Sequence, residues 1–201
     1  MNTESTRIEL YGSLGYYDTL KGEFDRDLSE VEFLTQLNRL LKEQLWSYTT
    51  GWTEIVHFFH STIDIEPNFT EVGFNDNGGK YVHNWRHSVL NETILALPNT
   101  SDVCVELTAH EQLNEDLLGA IDVPVYVKII SRRIFTLRRT PMSRQWRYIF
   151  DIMVSGPTKT AARKCYDNDE LIFNIRIATD INSIADIEPC MFSLLNKLND
   201  F

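Results

Sequence analysis

Cysteine is scarce in this chain: three in 201 residues, at positions 104, 165 and 190. No two have the spacing of a metal-ligand pair, and an odd, scattered set excludes a disulfide-stapled secreted scaffold. Proline and glycine are few, at six and nine, and no low-complexity tract, internal repeat or linker is visible. A long hydrophobic run is missing as well. The most apolar stretch, Val123–Ile130, is broken by Pro124 and Lys128, so no helical membrane span is expected. Positive charge is in deficit, with 19 Lys and Arg against 29 Asp and Glu, a net charge of -10 and a pI near 4.9. An acidic surface repels phosphate backbones, which argues against direct nucleic-acid binding and favours a basic protein partner. The opening, MNTESTRIEL, has no basic flank followed by an apolar run. No signal peptide is therefore expected, and the N-x-[ST] matches at Asn68, Asn91 and Asn99 are chance. A reducing compartment, cytosol or nucleus, is the expected address.

What is present is material for burial. The chain is 43% hydrophobic and 11% aromatic, enough for one globular domain over residues 1–201 and too much for a disordered chain. Periodicity predicts strands at Ile8–Leu14, Thr53–Phe59, Tyr81–Val89, Val103–Leu107, Val123–Ile130, Arg133–Arg138, Trp146–Val154 and Leu171–Ala178. Gly12 and Gly15 in the first of these mark a bulge or a close backbone approach. Phe24–Leu45 predicts the longest helix. Ser29 and Glu32 have capping-box spacing, Leu28 and Phe33 can staple the entry, and Phe33, Leu34, Leu37, Leu40, Leu41 and Leu45 form an apolar stripe. Thr108 and Glu111 also have capping-box spacing and predict a helix carrying Leu113, Leu117 and Leu118. Met191, Phe192, Leu194, Leu195 and Leu198 predict a terminal amphipathic helix, with Pro189 in its first turn. Pro67–Lys80, Leu97–Asp102, Thr140–Ser143 and Ser155–Lys159 predict loops or turns. The sum is an α+β, β-dominated domain: a curved antiparallel multistranded β-barrel with two or three flanking helices.

Several candidate chemistries can be set against this frame. His57, His60, His83 and His87 invite a zinc site, but ligands at i, i+3 on a strand point to opposite faces. In a metal-dependent tunnel phosphatase, Glu-x-Glu on the first strand would aim two carboxylates inward to hold a divalent cation. Here Glu9 is followed by Tyr11 at that second position, and the late strand LIFNIRIA offers Asn174 and Arg176 instead of acids. Lys128, Arg132, Arg133, Arg138, Arg139, Arg144 and Arg147 make the middle of the chain basic. In a catalytic tunnel they would bind a triphosphate. The favoured reading is that they line a hydrated barrel interior or an outer face and pair with surplus acids. Ser155-Gly156-Pro157-Thr158 lacks the lysine of a phosphate-binding loop and is expected to be a turn. No catalytic, cofactor-binding or metal-ligating residue is assigned, and the chain is expected not to be an enzyme.

Three runs carry a resemblance: CVELTAHEQLNEDLL, VKIISRRIFTLRR and WRYIFDIMVSGPT. Their order and spacing, with Cys104, Val105, Glu106, Leu107, Glu111, Gln112 and Leu113 and later Ile149, Phe150, Ile152, Val154, Gly156 and Thr158, resemble the head-module subunit 18 family of the Mediator coactivator of RNA polymerase II. The opening ELYGSLGYYDTL is similar as well. The resemblance implies a β-barrel related to the RNA triphosphatase tunnel, without catalysis and in the nucleus. It implies a heterodimer with Mediator subunit 20, capture of the C-terminal helix of Mediator subunit 8, and contact with RNA polymerase II and general initiation factors. It places no interface residue on this chain. The alternative is a metal-dependent RNA 5′-triphosphatase of the mRNA capping type, with Arg132, Arg147 and Asp151 as candidates.

Overall fold

The structure is a computed structural model, described here for residues 6–43, 46–60, 68–74, 78–96, 101–113, 124–137 and 145–199. Eight strands close on themselves. They are β1 (Thr6–Asp18), β4 (Thr53–Phe59), β5 (Asn68–Phe74), β6 (Lys80–Leu95), β7 (Asp102–Leu113), β8 (Tyr126–Leu137), β9 (Arg147–Gly156) and β10 (Ile172–Ile181). Every pairing is antiparallel, in the order β10-β9-β8-β4-β5-β6-β7-β1, and β1 returns to β10 from Ile8↔Ile181 to Ser13↔Arg176. Closure removes the open edges that an eight-strand sheet would otherwise expose. Two short strands, β2 (Glu23–Asp25) and β3 (Trp46–Thr49), append to β1 and β8. Helices α1 (Glu30–Lys42), α2 (Lys159–Asp167) and α3 (Ile187–Asn199) pack outside. The expected β-dominated barrel with flanking helices is the architecture found.

Alternation along the strands sorts the side chains. Leu10 and Leu14 of β1, Val103 and Val105 of β7, Ile175 and Ile177 of β10, and Tyr148 and Phe150 of β9 face outward into one buried cluster beneath α1 and α3. Phe33, Leu37 and Leu40 supply it from α1, and Cys190, Leu194 and Leu198 from α3. The capping box at Ser29 and Glu32 forms as its spacing predicts, and Leu28 and Phe33 are both buried beside it. Phe33 meets Phe150 edge-on, with ring centroids 5.4 Å apart. Gly12 and Gly15 also fulfil their expectation. A Cβ at Gly12 would lie 2.8 Å from Leu198 Cδ1, and one at Gly15 would lie 2.0 Å from the Asp25 carbonyl oxygen. Helix and β2 reach the sheet because those side chains are missing.

Other expectations are corrected. Thr108 and Glu111 cap no helix, because β7 runs unbroken through them to Leu113. The pairing of β7 with both β1 and β6 satisfies the backbone donors that a helix start would leave orphaned. Leu117 and Leu118 lie outside the described residues, as do 138–144 with their expected turn and most of 97–102. Tyr126–Ile130 and Arg133–Leu137, parts of two expected strands, belong to one strand, β8, since Ser131 and Arg132 keep the alternation. Residues Asn68–Phe74 form β5 where a loop was expected. The turn at Ser155–Lys159 leads into α2, capped by the Thr158 hydroxyl, which accepts from the Ala161 N–H. The long helix is shorter than expected: β2 occupies 23–25 and α1 begins at Glu30. Leu34 and Leu41 of its stripe face outward.

Leu194 is fully buried against the β1 face. Truncation to alanine is expected to cost about 2–5 kcal/mol. Urea unfolding of Leu194→Ala against the parent chain measures it.

Candidate functional site

The other set of alternating side chains points into the barrel. They line a cavity of about 780 Å³, within the size range of small-molecule sites. Six of the lining side chains are Lys or Arg, six are Asp or Glu and three are His. The interior is therefore close to charge balance, and the chain's acidic surplus lies elsewhere.

The register builds three clusters from neighbouring strands. On the first, Arg132 of β8 faces Asp151 of β9, which faces Asn174 of β10. The Arg132 guanidinium donates to both Asp151 oxygens, at 2.7 and 3.0 Å, and Arg176 donates to Oδ2 at 2.6 Å. Burial alone would raise the Asp151 pKa, but the two guanidiniums overcome it and hold the carboxyl at about 2. The second cluster centres on Glu9 of β1. It accepts from Arg7 at 2.8 Å and from Arg147, and lies 3.2 Å from His110 Nε2. Burial again works against ionisation, and the His110 hydrogen bond with the Arg147 and Arg7 charges brings the carboxyl to about 2. The third joins His57 to Glu71 at 3.0 Å across β4 and β5.

Tyr11, at the position where a second metal carboxylate was sought, is buried against the Arg176 guanidinium, 5.7 Å from its ring centre. Burial, with the Glu106 charge, pushes the phenol up to about 12. Asn174 and Ser13 are buried in the lumen wall, and neither Asn174 Oδ1 nor Ser13 Oγ has a hydrogen-bond partner among the described residues. Lys128 of β8 reaches in two residues before Ile130 and four before Arg132, near the Phe59 ring. It has no ion-pair partner among the described residues. Asp151, the carboxylate acting on it, is already held by Arg132 and Arg176. Burial and the Arg176 charge lower the Lys128 pKa.

The residues present do not fit a resident divalent cation in this lumen. Glu9, Glu71, Glu106 and Asp151 stand on four different strands, and each is engaged by its own Arg or His. Among the described residues, three metal-capable donors come together only at Glu92, Cys104 and Glu106. The Arg26 guanidinium sits among them, 3.6, 3.5 and 3.0 Å away, and supplies the cation. The four histidines weighed as a zinc site each have another neighbour: His57 meets Glu71, His60 meets Thr70, His83 lies near Gln112, and His87 pairs with His110. His110 was not singled out in the sequence. Its signal was the alternation of Glu106, Thr108 and His110, hidden by the helix expected there. Of the basic run, Lys128, Arg132 and Arg147 enter the lumen. Arg133 stacks on Phe135 on the other face, and Arg138, Arg139 and Arg144 lie outside the described residues.

A closed eight-strand tunnel with a charged interior is the class that fold and site define. No family model and no curated protein matches this chain. Solved structures do. The RNA triphosphatase Pct1 of S. pombe is 12% identical, with a TM-score of 0.54 over 91% of this chain and 73% of that one. Pct1 bound to the Spt5 CTD gives 13% identity and a TM-score of 0.52, over 87% and 70%. The Mimivirus capping enzyme triphosphatase is 11% identical at a TM-score of 0.48, over 98% and 89%. The fold of the RNA triphosphatase tunnel is thereby shown. Of the resemblance read from the sequence, this tunnel relationship stands, and a Mediator identity is not among the findings.

The expectation that the chain is not an enzyme is corrected. Pct1, a solved structure with this fold, is an RNA triphosphatase. Closure brings charged groups from strands distant in the chain to a single cavity, a convergence that spacing along the chain does not show. Among the described residues no helix is long and apolar enough to cross a membrane.

Both Glu9 and Asp151 are held at about 2, below their ordinary values of 4.5 and 3.8. Folding then favours the ionised forms, so their contribution is complete above about pH 4.5 and is lost as pH falls toward about 2. It amounts to about 3 kcal/mol for Glu9 and about 2 kcal/mol for Asp151. Asp151→Asn is expected to cost about 3–5 kcal/mol at neutral pH, because two guanidiniums lose their buried counter-charge. It should also flatten the acid limb, as read by circular dichroism across pH 2–7.

Proposed function

We propose that the tunnel binds the phosphate chain of a 5′-triphosphate end and hydrolyses its terminal anhydride. One observation carries the reading. Lys128 is a lumen ammonium without a carboxylate partner among the described residues, in a wall that also presents Arg132, Arg176 and Arg147. An ammonium removed from water without a counter-ion is costly, and a phosphate oxygen is the missing partner. The Ser13 hydroxyl, a donor with no hydrogen-bond partner among the described residues, lies in the same wall. Hydrolysis of a phosphoanhydride develops charge on the terminal oxygens, so fixed cations in a dehydrated cavity favour its transition state. The acidic exterior limits generic attraction to nucleic acid, while the lumen focuses potential on an end small enough to enter. Pct1 is an RNA triphosphatase, which makes RNA 5′-triphosphate the first substrate to try and the nucleus the compartment to examine. The lumen donors argue against metal dependence.

Calorimetry with tripolyphosphate is expected to show binding that weakens about 10- to 100-fold in Lys128→Met, the loss of one charge-assisted contact. Phosphate release from triphosphate-ended RNA should persist in a chelator. Absence of tripolyphosphate binding at millimolar concentration would overturn the reading.

A docking role beside this one is supported by α1. Val31, Leu34 and Leu41 lie on one helical arc and are exposed, at 75%, 40% and 46%. An amphipathic partner helix fits such a stripe. The C-terminal helix of Mediator subunit 8, with subunit 20 alongside, is the partner proposed. Co-expression should give a complex that Leu34→Glu with Leu41→Glu dissociates on gel filtration, and separate elution of the parent chain would count against it.

A further inference from the structure

A hydrogen-bonded chain of three side chains crosses the lumen wall beside the cations. His110 of β7 is the direct cross-strand neighbour of both Arg7 on β1 and His87 on β6. Its Nε2 lies 3.2 Å from Glu9 Oε2 and 3.3 Å from the Thr108 hydroxyl, and its Nδ1 lies 3.4 Å from His87 Nδ1. Glu9 is an ionised acceptor fixed by Arg7 and Arg147, so His110 donates through Nε2–H. Its Nδ1 is then an acceptor, and His87 must donate to it through Nδ1–H. By elimination the His87 Nε2 lone pair is left without a proton. Both imidazoles line the cavity.

We propose that Glu9, His110 and His87 form a proton relay that activates water against the terminal phosphate, an inference resting on the hydrolytic reading above. His87 alone is a poor base. Burial, then the His110, Arg176 and Arg26 charges, outweigh Glu9 and depress its pKa to about 4. The relay removes that obstacle. A water molecule gives its proton to His87 Nε2 as its oxygen attacks the terminal phosphorus. The His87 Nδ1 proton passes to His110 Nδ1, and the bond from that phosphorus to the bridging oxygen breaks, with its electron pair leaving on the shortened phosphate chain. The positive charge comes to rest on His110 against the Glu9 carboxylate, which also offsets the neighbouring Arg7. His87 is the catalytic residue, while His110 and Glu9 are positioning residues that hold its tautomer and receive the charge.

Imidazole nitrogen NMR on the full chain is expected to show His87 as the Nδ1–H tautomer and His110 as Nε2–H at neutral pH. Phosphate release should fall about 10²- to 10⁴-fold in His87→Gln, with tripolyphosphate affinity within a few-fold of the parent. Glu9→Gln should shift the acid limb of the rate profile to lower pH as well as reduce the rate, a shift that loss of packing would not produce. A His87→Gln rate equal to the parent's, or an Nε2–H tautomer at His87, overturns the relay alone. Parent protein that binds tripolyphosphate and releases no phosphate overturns the hydrolytic reading together with the relay.

Discussion

The pairing of β1 with β10 is the constraint on which everything else rests. With that seam closed, each strand has an inside and an outside, and a shift of one residue would exchange them. Leu10, Gly12 and Leu14 then face α3 and the apolar cluster, while Glu9, Tyr11 and Ser13 face the lumen. The seam also brings Asp180 of β10 opposite Glu9, so that Arg7 and Arg147 bridge both carboxylates at the barrel mouth.

Burying so many charges is tolerable only because they are mutually satisfied. Asp151 shows the balance: desolvation pushes toward the neutral acid, and two guanidiniums from different strands reverse it. Such a network contributes little net stability compared with an apolar core. The fold's cohesion comes instead from the outer cluster under α1 and α3. The division leaves polar groups in the lumen wall, and Lys128, Ser13 Oγ and Asn174 Oδ1 have no ion-pair or hydrogen-bond partner among the described residues.

The same division explains why the metal reading and the hydrolase reading separate. The tunnel shares its fold with triphosphatases, yet Tyr11, Asn174 and Arg176 take positions where carboxylates would gather a cation. What remains is a set of fixed positive groups beside a histidine pair tied to Glu9. Phosphoryl transfer asks mainly for positioning and charge stabilisation, and both are available from these side chains.

Local pattern was enough for β4, for the Ser29–Glu32 cap of α1, for the terminal helix and for the glycine-lined approach in β1. Each depends on spacing within a few residues. The segment Thr108–Leu113 was misread because a capping-box spacing and a strand alternation coexist in it, and only pairing with β1 and β6 decides between them. Composition and periodicity thus determined a β-rich barrel with helices on its apolar side. The contents of the lumen were decided by tertiary structure alone, since Glu9 meets Arg147 and His110, and Arg132 meets Asp151, only after closure sets strands distant in the chain side by side.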